Sequence, residues 1–189
     1  KLLIWSEQGV GDQVLNLRFL RDVENYTENI FIKIDKRLHP IIKRSHPNVK
    51  FFSSEIDYKI QIDSQISLVE LATLFLTENS YFSKNNDKYI SGDNLLKKEL
   101  KEKLKTEKIV CGLSWISKNN EIGNNKSITL EMLKPLLLIK GITFIDLQYN
   151  DTKIEKDRFF NDNSIKINGV DTIDNFNDLN GITSLIEIC

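Results

Sequence analysis

The chain has 189 residues, 40% hydrophobic and 28% charged, which is enough for one large or two small cores. A net charge near −1 and a pI near 6.2 exclude the clustered excess base of a broad nucleic-acid footprint. No apolar run reaches the roughly 18–20 residues that span a bilayer, and the opening Leu2–Trp5 run is too short for a signal peptide. Cys111 and Cys189 are too few and too far apart for a disulfide framework or a zinc site, so a reduced, cytoplasmic setting is expected.

In chain order, short apolar runs alternate with helix-periodic stretches. Strands are expected at Leu2–Ser6, Asn29–Ile34, Val49–Ser53, Tyr58–Ile62, Ile109–Trp115, Thr143–Gln148 and Ser164–Ile167. Helices are expected at Asp12–Glu24, Leu38–Arg44, Ser67–Phe75, Asn94–Lys105, Leu130–Ile139 and Asn180–Cys189. Thr129 stands as N-cap before the Leu130 run, and Gly141 as the glycine that ends it. Strand then helix, repeated, predicts parallel α/β sheets with helices on their faces.

The pattern restarts once. Residues 80–107 turn polar and then become a Lys/Glu-rich helix, which reads as a solvated face carrying i,i+4 pairs; "KIVCGLSW" opens a second series. The expected organisation is an N-terminal Rossmann-like domain over 1–92, a charged linker helix over 93–107, and a partial second Rossmann-like domain over 108–189. Both ends lie inside apolar runs, so the chain reads as a segment of a longer one. No internal repeat of 20–50 residues is present.

Two loops carry chemistry. In "WSEQGVGDQVL", Gly9 and Gly11 permit positive φ and a close backbone approach to a ligand, and a helix N-terminus follows. The dinucleotide fingerprint fails, because Val14 stands where its third glycine belongs, and no Gly-Lys-Ser/Thr is present. Asp12 is either the N-cap of that helix or a base projecting from the carboxyl end of the first strand. Spacing leaves both open. In "GLSWISKNNEIGNNKSITLEML", Lys126-Ser127 immediately precedes a helix, where a lysine meets a diphosphate as a point charge or stays an ordinary solvated loop cation. Trp115 reads as a core or interface residue. His39 and His46, in "LHP" and "SHP", lack a metal-ligand partner and read as structural or surface residues.

Taken together, "LLIWSEQGVGDQVLNLRFL", "DKRLHPIIKRSHPNVKF", "GLSWISKNN", "NKSITLEMLKPLL", "ITFIDLQYND" and "NDLNGITSLIEIC" resemble, in order, a glycosyltransferase-like domain. It is the domain found behind tetratricopeptide repeats in bacterial proteins, related to the heptosyltransferases and more distantly to the protein O-GlcNAc transferases. Residues 60–105 carry little of the resemblance.

The resemblance implies a GT-B fold, two Rossmann-like domains across a cleft, the second truncated here. It implies inverting, metal-independent transfer from a nucleotide sugar, which is a substrate, with no separate cofactor. The acceptor is a glycan, a lipid-linked core or a protein, and tetratricopeptide repeats upstream would dock a protein acceptor. Asp12 becomes the candidate base, with Gly9, Gly11 and Gln13 as acceptor-side loop residues. Lys126 and Ser127 become donor-phosphate residues, and Ser114, Trp115 and Gln148 cleft candidates. The chain stops before the family's Asp-Thr-Ser-x-x-His-Leu-Ala-Gly stretch, so the segment is expected to be inactive alone. Two alternatives are a non-catalytic scaffold that keeps the fold and a sugar-nucleotide epimerase; the contexts of His39 and His46 argue against the second.

Overall fold

A computed structural model describes residues 1–53, 59–77, 88–117, 123–149 and 151–189. The chain divides into two compact units, Lys1–Ser91 and Gly92–Cys189.

The first unit is built on a four-stranded parallel sheet in the order β3-β2-β1-β4. Its strands are β1 (Leu2–Trp5), β2 (Ile30–Lys33), β3 (Lys50–Phe51) and β4 (Ser64–Ser67). The "IFI" run of β2 is buried throughout, as expected of a parallel strand covered on both faces. α1 (Val10–Asn16), a 3-10 turn (Leu17–Phe19) and α2 (Leu20–Glu24) form the β1–β2 crossover, burying Leu17, Phe19, Leu20 and Val23. A second 3-10 turn (Lys36–Leu38) and α3 (His39–Ser45) lead to β3, with Pro40 in the first helical turn, where its missing N–H costs nothing. α4 (Leu71–Phe75) follows β4.

His46 closes α3 and is 1% exposed. Its Nδ1 lies 3.0 Å from Glu24 Oε2 and its Nε2 3.2 Å from the Tyr89 carbonyl, a packed structural role.

Three expectations shift here. The apolar residues Ile60 and Ile62 are not a strand; β4 is the polar Ser64–Ser67, and Tyr58 lies outside the described residues. Consequently the helix expected from Ser67 starts at Leu71. Only Lys50–Phe51 pair in the strand expected at Val49–Ser53.

The second unit pairs β5 (Ile109–Leu113) in parallel with β6 (Ile142–Asp146), and Ile145 bridges to Asn168 on the far side. The bridge replaces the strand expected at Ser164–Ile167, because Ser164 adopts φ +57° to end the preceding helix. Helices coat both faces, since side chains alternate along a strand. Leu113 and Phe144 pack with Leu130 and Leu137 of α6 (Leu130–Leu137) and Phe159 of α7 (Lys153–Asn163). Ile145 packs the other way, with Leu100 of α5 (Asn94–Leu104) and Leu185 of α8 (Leu179–Ile186).

α5 is the charged helix expected as a linker, and it is built into this unit. Leu96 and Leu104 join Leu100 against the α8 side, and Lys97 pairs with Glu187 at 2.7 Å. Asp93 caps it, accepting from Leu95 N at 2.9 Å and Leu96 N at 3.1 Å. At Gly92 a Cβ would stand 2.7 Å from the Ser184 Cα, so the close approach of α5 to α8 demands glycine. Thr129 caps α6 through Met132 N at 3.2 Å, and Gly141 takes φ +86° before β6. No helix among the described residues is long and apolar enough to cross a membrane.

Candidate functional site

In the first unit the chain winds from β1 through β2 to β3 and then crosses to β4 on the opposite side. The strand order therefore reverses between β1 and β4, and ligands in open parallel sheets bind outside the carboxyl ends at such a point. A cavity of about 220 Å³ lies there, lined by Trp5–Gln8 and Ser67–Glu70. Ser67 donates from Oγ at 2.8 Å and from N at 3.1 Å to Glu70 Oε2, and these bonds hold the Glu70 carboxyl below its ordinary value.

Asp12 is not among the residues that line this cavity, which end at Gln8 on this side. Its Oδ2 lies 3.6 Å from where a Cβ on Gly9 would stand, and Gln8 lines the cavity next to Gly9. Gly9 is the N-cap residue, so Asp12 sits in the first turn and does not cap the helix. Among the described residues its exposed carboxylate accepts no hydrogen bond, although its charge complements the α1 N-terminus. Neither Gly9 nor Gly11 adopts positive φ. Gly11, in the first turn of α1, has open space above it, leaving the backbone of that turn bare.

Gln13 is 5% exposed and braces the loops. Its Nε2 donates to Gln8 O at 2.7 Å, and its Oε1 accepts from Asp35 N at 2.9 Å. Asp35 caps the turn after β2 and holds the Arg37 guanidinium at 2.8 Å and 3.0 Å. The Arg37 side chain keeps the Asp35 carboxyl below its ordinary value of 3.8. A depressed carboxylate contributes stability that is full above its unfolded value and lost as pH falls through its folded one. Arg37→Gln should therefore lower the urea midpoint at neutral pH, and its deficit against wild type should shrink below about pH 4. A deficit constant across that range would contradict this. Beside them His39 stacks on Phe51 with ring centroids 3.9 Å apart, and burial pushes its imidazole below the usual histidine value.

In the second unit Lys126 ends a 3-10 turn (Asn124–Lys126) and its side chain is exposed. Thr129 already serves the α6 N-terminus, so Lys126 stands ahead of the helix on its own loop. Ser127 is a staple: its Oγ accepts from Ser117 N at 2.9 Å and donates to Gly123 O at 2.7 Å. Residues 118–122 of this loop lie outside the described residues. Ser114 is exposed, whereas Trp115 is 2% exposed in the core, its Nε1 donating to Glu155 at 3.2 Å. Gln148, also 2% exposed, accepts from Trp115 N at 2.9 Å and Ile116 N at 3.0 Å, and donates to Ile116 O at 2.7 Å.

A cavity of about 320 Å³ opens at the carboxyl end of β6, lined by Asp146, Gln148, Thr152, Lys153, Lys156 and Asn175 among others. Asp146 is 6% exposed. Its Oδ1 accepts from Gln148 N at 2.8 Å; its Oδ2 accepts from Thr152 Oγ1 at 3.0 Å and pairs with the Lys156 ammonium. Asn175 Nδ2 donates to the carbonyls of Asp146 at 3.1 Å and Gln148 at 3.0 Å. Asp151, Asp171 and Asp174 rim the cavity beside Lys153, while Lys156 is paired with Asp146, so carboxylates dominate a lining suited to a ligand bearing hydroxyls. No group of three His, Cys, Asp or Glu side chains among the described residues is poised to hold a metal ion.

Sequence reading missed Asp146, Thr152, Lys156 and Asn175. The available signal was an Asp ending an apolar run, followed by Thr152 and Lys156 at i,i+4 spacing. No family model matches the chain, and no curated protein or solved structure matches it.

Proposed function

We propose that the chain carries the core of an inverting, metal-independent glycosyltransferase of GT-B type that draws its sugar from a nucleotide-sugar donor. The observation that carries the reading is the exposed Asp12 carboxylate, without a hydrogen-bonding partner among the described residues, in the first turn of the helix that follows β1. The collinear resemblance to glycosyltransferase-like domains supports it. The carboxylates of the cavity at the β6 end of the second unit suit the hydroxyls of a sugar.

In this reading Asp12 takes the proton from an acceptor hydroxyl as that oxygen attacks the anomeric carbon. The bond from the anomeric carbon to the diphosphate breaks on the opposite face, which inverts the configuration. Lys126 balances the charge that develops on the departing nucleoside diphosphate. The acceptor is a glycan, a lipid-linked core or a protein, with tetratricopeptide repeats as the docking surface for the last.

Titration with uridine, adenosine and guanosine diphosphates tests the donor half. One of them should bind saturably, and Lys126→Ala should weaken it about tenfold, the loss of roughly one charge-assisted hydrogen bond. No binding of any of the three at millimolar concentration would overturn the reading. A scaffold that keeps the fold without catalysis is the second reading. It is favoured by Gln13, Ser127 and Gln148, whose side chains are engaged in bracing loops. Nucleotide binding with no transfer to any acceptor would support it.

A further inference from the structure

We infer that Gln148 is a positioning residue: its buried carboxamide sets the place of the Lys126 loop against the β6-end cavity. The inference rests on the donor-binding reading above and adds the device that holds the two parts of that site together.

The β5–β6 ladder ends with Leu147 N donating to Leu113 O at 2.8 Å. Beyond that rung the two backbones separate, and one side chain continues the pairing. Gln148 Oε1 takes the N–H of Trp115 and of Ile116, at 2.9 Å and 3.0 Å, with Ser114 Oγ at 3.3 Å. Its Nε2 donates to Ile116 O at 2.7 Å, so Ile116 is gripped by both its N–H and its C=O, as a strand neighbour would grip it. The main chain of Gln148 is fixed by Asp146 Oδ1 at 2.8 Å on its N–H and by Asn175 Nδ2 at 3.0 Å on its C=O.

The hold then passes down the loop. Trp115 O accepts from Ile128 N at 3.0 Å, and Ser117 N donates to Ser127 Oγ at 2.9 Å, at the two residues that follow Lys126. An amide fits this fork, because it presents an acceptor and a donor side by side to Ile116. A carboxylate would set an oxygen against the Ile116 carbonyl, and an apolar side chain would strand three buried backbone groups.

Hydrogen exchange of the ligand-free protein tests the fork directly. Gln148→Met, which preserves volume, should speed exchange at Trp115, Ile116, Ser117 and Ile128 at least tenfold, leaving Cys111 and Ile145 protected. Gln148→Glu, which keeps the acceptor oxygens, serves where the Met variant does not fold. Unchanged exchange at Ile128 overturns the inference.

A double-substitution cycle on nucleoside diphosphate affinity separates positioning from plain structural support. Lys126→Ala should weaken binding in the wild-type background and add less than twofold in the Gln148→Met background. Additive losses overturn the inference. A wild-type protein that binds none of the three diphosphates sinks the donor reading, and the exchange pattern then decides the fork by itself.

Discussion

In the full-length protein, Asp12→Asn should reduce sugar transfer by about a hundred- to ten-thousand-fold, the range lost when a positioned general base is removed. The same substitution should leave nucleoside diphosphate affinity and the unfolding midpoint nearly unchanged. Asparagine keeps the shape of the side chain and removes only its charge. The carboxylate accepts no hydrogen bond among the described residues that the amide would break, and Gly9 supplies the N-cap. The structural cost is then the loss of one charge beside the α1 N-terminus, about 0.3–1 kcal/mol. Turnover assays with the variant decide between a base and a dipole partner. Wild-type turnover in Asp12→Asn would reduce this residue to the second role.

The largest stability effect belongs to Asp146. Asp146→Ala should destabilise the second unit by about 3–5 kcal/mol, the range for stripping one partner from a buried ion pair. The carboxylate is 7% exposed and the Lys156 side chain 21% exposed, so solvent screens this pair far less than a surface one. The alanine also strands Thr152 Oγ1 and the Gln148 N–H. Lys156→Met should cost less, because Asp146 keeps those two donors. Urea unfolding of the two variants checks the order. Equal losses would mean that the ammonium alone fixes the carboxylate.

The parts legible in the sequence were those whose burial writes a pattern. "LLIW" and "IFI" are continuous apolar runs because parallel strands are covered on both faces, and they were placed within a residue or two. The first crossover was legible as one helix from its apolar spacing, and the structure divides it into α1, a 3-10 turn and α2 between Val10 and Glu24. β4 was missed because "SQIS" has only Ile66 to bury, and its pairing with β1 is a tertiary fact. α7 was missed for the converse reason: Phe159 is its one buried side chain and Ile154 is 84% exposed, so it carries no apolar stripe.

The candidate site divides along the same line. Asp12 and Lys126 were legible as charged residues in loops after strands, and both are exposed there. What Gln13, Ser127 and Gln148 do was not legible, because an amide or hydroxyl reads alike whether it meets a ligand or its own backbone. For Gln13 and Gln148 burial decides, and it is settled by loops brought together from 22 to 34 residues apart, whereas Ser127 is engaged by Gly123 and Ser117 of its own loop. Asp146 escaped for the same reason, since its partners Thr152 and Lys156 become neighbours only when α7 folds back over the end of β6.

Amide chemical-shift mapping during titration with nucleotide sugars tests for a nucleotide-sugar site in the second unit. Saturable shifts are expected at Ser114, Lys126 and the Asp146–Lys156 segment, unaffected by chelation of divalent cations. Shifts confined to other surfaces, or none at millimolar nucleotide sugar, would contradict it.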